Sequence, residues 1–169
     1  MDRAIWLTGL FEYPDDGYRA RAEHCASAIG SEELRAFARA IAELSTGELQ
    51  ELFIQSFDLN PASALEIGWH LFGEQYERGE FLVDLRGRLR AAGIAERGEL
   101  PDHLLHVLPL MARLEAADAE RFATRFLVPA LEKIAAALPE GNPFRSLVNA
   151  VAGTVRLPAD PTPVTAGEL

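Results

Sequence analysis

Glu99, Asp102, His103 and His106 form the best polar cluster in the chain for chemistry, and their types serve proton transfer, metal ligation or recognition of a charged partner. On a helix, His103 and His106 stand three apart and can face one ligand, with Asp102 and Glu99 beside them. One reading is a helical metal-dependent enzyme using both imidazoles and the nearby carboxylates. The other is architectural: Asp102 caps a helix start and His103 hydrogen-bonds a neighbouring carbonyl or carboxylate. Di-iron helical bundles need Glu-x-x-His on two helices, whereas here Glu66 and His70, like Glu99 and His103, are four apart. The expectation is no metal and no cofactor.

A nucleophile would need a base within reach. His24 and Cys25 are sequence neighbours, about 100° apart on a helix, so adjacency does not pair them, and a small thiol on an alanine-rich face reads as core. The chain has no G-x-S-x-G, no S-x-x-K, no glycine-rich phosphate loop and no G-x-G-x-x-G. No catalytic residue is assigned, and the protein does not read as an enzyme. Its single cysteine excludes an intramolecular disulfide and any multi-cysteine zinc or iron-sulfur site built from this chain alone.

A net charge of -10 repels nucleic-acid backbones and anionic membranes unless a basic patch outweighs it. The only cluster to weigh is Arg86, Arg88, Arg90 and Arg97, which splits between helix faces and reads as solvated. Neither nucleic-acid binding nor membrane insertion is expected, since no apolar run approaches the roughly 18 residues of a membrane helix. The first residues do not form a secretory signal, and a cytoplasmic protein is expected.

The elements that must position the polar group are helical. With 49% apolar and 25% charged residues in a chain of 169, one folded domain is the default. Apolar spacing predicts a short helix over Ala4–Phe11, then Tyr18–Ile29 closed by Gly30, and then a helix opened by Ser31, Glu32 and Glu33. Ser45 and Glu48 have the form of a capping box ahead of Leu49, Leu52, Phe53 and Phe57, and this helix should end near Asn60-Pro61. Ser63–Gly73 reads as a helix apolar nearly all round, suited to the middle of a domain. Within it Gly68 costs roughly 1 kcal/mol relative to alanine, and the expected return is close approach of another helix.

Tyr76–Ala92 follows as an amphipathic helix ended by Gly93. Pro101 suits the first turn of a helix carrying Leu104, Leu105, Leu108, Met111 and Leu114, with Pro109 a kink inside it. Asp118–Leu138 reads as one helix with Pro129 inside, and Asn142-Pro143 starts a last one. No strand pattern and no repeat is visible, so the fold class is all-α, with about eight or nine helices in one domain, 1–156. Three prolines predict an extended tail over 157–169.

Several phrases match a known family. Phe53-x-x-x-Phe57-Asp58-Leu59-Asn60, then Leu65–Gly73 with His70-Leu71-Phe72-Gly73, then Arg78-Gly79 and the helix to Ala92-Gly93, and finally Glu99-Leu100-Pro101-Asp102-His103-Leu104 resemble the NarJ family. Those proteins are the delta-subunit assembly chaperones of respiratory nitrate reductase, related to the wider TorD/DmsD group of molybdoenzyme chaperones. The resemblance covers most of Leu7 to Leu114 and is absent from the tail. It implies an all-helical, non-catalytic chaperone of TorD-like architecture. Such a protein binds the N-terminal segment of the catalytic (alpha) subunit of nitrate reductase and keeps it competent for molybdenum cofactor insertion before membrane attachment. A chaperone of another molybdoenzyme, of the S- or N-oxide reductase type, is the alternative within the wider group.

By position, Glu99, Pro101, Asp102 and His103 carry the family motif, with His106 in the same polar group. Phe57, Asp58, Trp69, His70 and Gly73 would line or support a peptide groove. The physical reading agrees in kind: an amphipathic peptide helix lies in an apolar groove while an acidic rim meets its basic residues.

Overall fold

Local signals set several helix boundaries in the computed structural model, which describes residues 3–156; the tail expected over 157–169 lies outside the described residues. Ser45 Oγ accepts the Glu48 N–H at 3.1 Å while Glu48 accepts the Ser45 N–H at 2.7 Å, so the capping box is complete. Ser31 caps the preceding helix through the Leu34 N–H, and Gly30 ends the one before it with a left-handed φ of 73°.

Ten α-helical segments follow one another among the described residues: α1 (Arg3–Thr8), α2 (Tyr18–Ile29), α3 (Glu32–Ile41), α4 (Thr46–Phe53), α5 (Ile67–Phe72), α6 (Tyr76–Ala91), α7 (Leu104–Met111), α8 (Ala116–Phe122), α9 (Val128–Ala137) and α10 (Pro143–Arg156). The all-α expectation holds. α8 and α9 are joined by one widened turn, Ala123–Leu127, which explains why the sequence reads them as a single helix. Pro129 stands two residues after that turn. It has no N–H to offer the fourth carbonyl back, and the wider turn, in which Val128 reaches back five residues to the Ala123 carbonyl, accommodates the missing donor. A second turn of this kind, Ile54–Asp58, extends α4.

α10 packs on α3 and α9, and its Phe144 is the hub of an aromatic cluster. The rings of Phe37, Phe53 and Phe57 lie 5.6, 5.7 and 5.0 Å from it. Offset and edge-on pairs of this sort add about 1 kcal/mol each beyond the area they bury. A second cluster joins Phe72, Phe81, Phe122 and Phe126 where α5 and α6 meet the α8–α9 turn. Tyr18 is fully buried and donates to the Leu10 carbonyl at 2.6 Å.

The helix expected over Ser63–Gly73 is overturned in its first half. Pro61–Ser63 forms a short 3-10 turn, Ala64 and Glu66 are extended, and α5 begins only at Ile67. The extended residues pair across the fold: the Ile67 N–H meets the Asp102 carbonyl at 2.9 Å and the Leu104 N–H meets the Leu65 carbonyl at 3.1 Å. Glu66 and His103 thereby form an isolated antiparallel bridge. Backbone groups that a helix would satisfy internally are satisfied here by a segment far along the chain.

The same pairing corrects the expected place of Pro101. It is not in the first turn of α7 but in the turn before it, where the His103 N–H meets the Leu100 carbonyl at 3.1 Å and Pro101 takes the second position.

Candidate functional site

The bridge and the Leu100–His103 turn hold α5, the start of α7 and the end of the α4 extension around one cleft of about 410 Å³. Phe57, Asp58, Trp69, Glu99 and His103, all expected at a groove, do line it. Phe57 belongs to the aromatic core on one side and reaches the cleft on the other. Trp69 is fixed by its indole N–H donating to the Pro61 carbonyl at 3.0 Å, with the Arg78 guanidinium 5.8 Å over its ring.

His103 is the helix cap. Its Nδ1 accepts the Leu105 N–H at 3.1 Å, so in the neutral ring the proton sits on Nε2. Burial, with the neighbouring His106 as a second cause, pushes its pKa down to about 4.

Asp102, expected to be the cap, is instead a buried strut. Its side chain is fully buried, and Oδ2 accepts the Gly68 N–H at 3.0 Å and the Arg78 guanidinium at 3.4 Å. Burial raises its pKa, against the opposing pull of Arg78 and Gly68. Gly68 is small because of this contact: a Cβ there would lie 2.5 Å from Asp102 Oδ2. The close approach expected at Gly68 is therefore real, but a carboxylate makes it together with Phe81 of α6.

His106 does not converge with His103. Its Nε2 accepts the Arg97 N–H at 2.8 Å, and its Nδ1–H donates to the Leu100 carbonyl at 2.8 Å. Both ring nitrogens are thus spent on the loop before the turn, which removes the alternative reading in which the two imidazoles face one metal. His70 is likewise a brace, donating from Nε2 to the Ala64 carbonyl at 2.6 Å while its own carbonyl accepts Lys133 at 2.8 Å. Gly73 ends α5 with φ 58° and Pro101 is buried in its turn. None of Pro101, Asp102, His106, His70 and Gly73 lines the cleft.

Six lining residues were not among the expected ones, and two of them, Glu66 and Arg78, are charged. Glu66 was masked by the helical reading of its segment, although it is the one acid in Leu65–Gly73. Burial raises its pKa, and the charges of Asp102 and Glu99 act in the same direction.

The model of the nitrate reductase delta subunit family matches residues 24–140. The chain belongs to this family. Every residue weighed above, from Phe57 to His106, lies inside the matched span. The nitrate reductase molybdenum cofactor assembly chaperone NarJ of Escherichia coli (strain K12) is 27% identical over 129 residues, covering 70% of this chain and 55% of that protein. The probable nitrate reductase molybdenum cofactor assembly chaperone NarJ of Bacillus subtilis (strain 168) is 28% identical over 129 residues, covering 72% of this chain and 70% of that protein. The chain spans about half the length of the Escherichia coli relative. Within this delta subunit family member, no helix of the described residues is long and apolar enough to cross a membrane.

Proposed function

We propose that this chain is an assembly chaperone of respiratory nitrate reductase. In this reading it binds the N-terminal segment of the catalytic subunit in the cleft between α5 and the start of α7, and holds that subunit competent for molybdenum cofactor insertion before membrane attachment. The observation that carries the reading is the make-up of the cleft in a delta subunit family member: aromatic walls from Phe57 and Trp69, the half-open Leu100, and a rim of Asp58, Glu66 and Glu99. Such a surface takes an amphipathic segment, its apolar face inward and its basic residues toward the rim.

The cleft chemistry favours binding over catalysis. A general base works best with a pKa near the operating pH, whereas His103, the cleft's histidine, is held near 4 with Nδ1 committed to the backbone.

Calorimetry with a synthetic peptide copying the N-terminal segment of the catalytic subunit tests the proposal. The expected result is saturable binding with a negative heat-capacity change from apolar burial. Absence of binding at high micromolar peptide overturns it.

A further inference from the structure

The His103 end of the cleft gathers two carboxylates, and among the described residues Arg78 is the one cation lining the cleft that acts on them. Ligand-capable atoms of Glu66, Glu99 and His103 all lie within 4.8 Å of one another. Among the described residues, neither glutamate makes an ion pair, and the Glu66 carboxylate has only its own backbone N–H as a hydrogen-bond donor. Arg78 is the one cationic side chain lining the cleft, and it is already engaged by Asp102 below and Trp69 beside it.

The imidazole supplies no further positive charge. His103 lines the cleft but is only 7% exposed, its Nδ1 is occupied by the Leu105 N–H, and its Nε2 makes no hydrogen bond among the described residues. A buried, neutral N–H donor thus faces the site beside two carboxylates that repel each other. Burial and the neighbouring acids make ionised Glu66 costly, and a cation bound between the glutamates relieves that cost.

We propose that Glu66 and Glu99 form a cation subsite that takes one ammonium or guanidinium group of the bound segment, while the His103 Nε2–H meets a carbonyl next to that group. This deepens the proposed function and rests on it. A metal ion fits worse. A metal-bound histidine coordinates through one nitrogen and donates a proton from the other. In His103 the second nitrogen already accepts a hydrogen bond, so coordination at Nε2 would require an imidazolate or loss of the α7 cap. A multi-donor organic cation asks only for the two carboxylates and makes charge-assisted hydrogen bonds to both.

The cation has two possible sources, a lysine or arginine side chain or the α-ammonium at a peptide start. Amide NMR on the full chain separates them, with acetyl-arginine amide and acetyl-lysine amide as side-chain probes and alanine amide as the α-ammonium probe. The expected result is saturable shifts of the Gly68 and Glu99 amides and the Trp69 indole N–H with one class of probe. Those shifts should be lost in Glu66→Gln/Glu99→Gln. Glu99→Gln alone, at an exposed position, serves as the variant whose fold is not at risk and should weaken the response roughly tenfold.

With the peptide of the proposed function, replacing its basic groups by neutral ones should lower affinity for the native chain roughly tenfold and leave affinity for the double variant unchanged. No probe shifts at high millimolar concentration, equal loss of charged and neutral peptides in the variants, or stoichiometric zinc binding through His103 would each overturn the subsite. Probe shifts without peptide binding would support the subsite and overturn the proposed client instead.

Discussion

The Gly68 N–H donates to Asp102 Oδ2 at 3.0 Å, and a Cβ on Gly68 would lie 2.5 Å from that same oxygen and 3.0 Å from Phe81 Cδ1. Replacing glycine by alanine inside an ordinary helix gains about 1 kcal/mol. Here the methyl group must displace a fully buried carboxylate. Gly68→Ala is therefore expected to lose about 2 kcal/mol in urea unfolding, reversing the sign that helix propensity alone predicts. A gain would mean that α5 moves freely against the Asp102 turn.

Removing the other partner of this contact tests it from the opposite side. Asp102→Ala leaves the Gly68 N–H and the Arg78 guanidinium without their buried acceptor, and a loss of about 3 kcal/mol is expected. Asp102→Asn keeps an acceptor oxygen for Gly68 and should lose clearly less. Thermal melts of the two variants check the order; equal melting temperatures would remove Asp102 as a strut.

These two residues also mark the limit of what the sequence discloses. These helix boundaries were legible because they rest on neighbours: Ser45 with Glu48, Ser31 with Leu34, Gly30 at the end of α2. Much of the cleft was legible too, since Phe57, Asp58, Trp69, Glu99 and His103 do meet. Long-range pairing was not. The bridge between Glu66 and His103 overrode helical periodicity in Leu65–Ile67, as tertiary contacts commonly override propensity. Which of the adjacent Asp102 and His103 would cap α7 depended on a partner 34 residues away, Gly68, which draws the carboxylate inward and leaves the cap to the imidazole. His106 has helical spacing to His103, but spacing carries no information about the loop that claims both of its nitrogens.

His103 makes stability depend on pH with a defined sign. Its pKa falls from an ordinary 6.5 to about 4 on folding, so between those values the unfolded chain binds more protons than the folded one. The stabilisation is present above pH 6.5 and is lost as the pH falls through 4, by about 3 kcal/mol in total. Glu66, with a raised pKa, acts in the opposite direction on acidification, as does Asp102, so the test is a difference. His103→Asn keeps a capping acceptor and removes the titrating ring. Denaturant melts across this range should show the native chain losing stability relative to the variant, and parallel curves would refute a ring held neutral by burial.

His106 positions Glu99 without touching the cleft. Its two hydrogen bonds tie the Arg97 N–H and the Leu100 carbonyl, the two ends of the segment that presents the glutamate, and the Glu99 N–H closes the same loop on the Arg97 carbonyl at 2.7 Å. His106→Ala leaves both backbone groups without that partner and opens a space in a fully buried position, which is expected to lose about 3 kcal/mol of stability. Hydrogen exchange supplies the sharper readout. The Arg97 amide should exchange at least about tenfold faster in the variant, while amides in the core of α10 respond only through the global stability change. If His106 instead served a ligand, its removal would leave Arg97 protection unchanged in the unliganded protein. The native exchange rate at Arg97, compared with that in His106→Ala under conditions where both remain folded, therefore decides between a loop clamp and a binding residue.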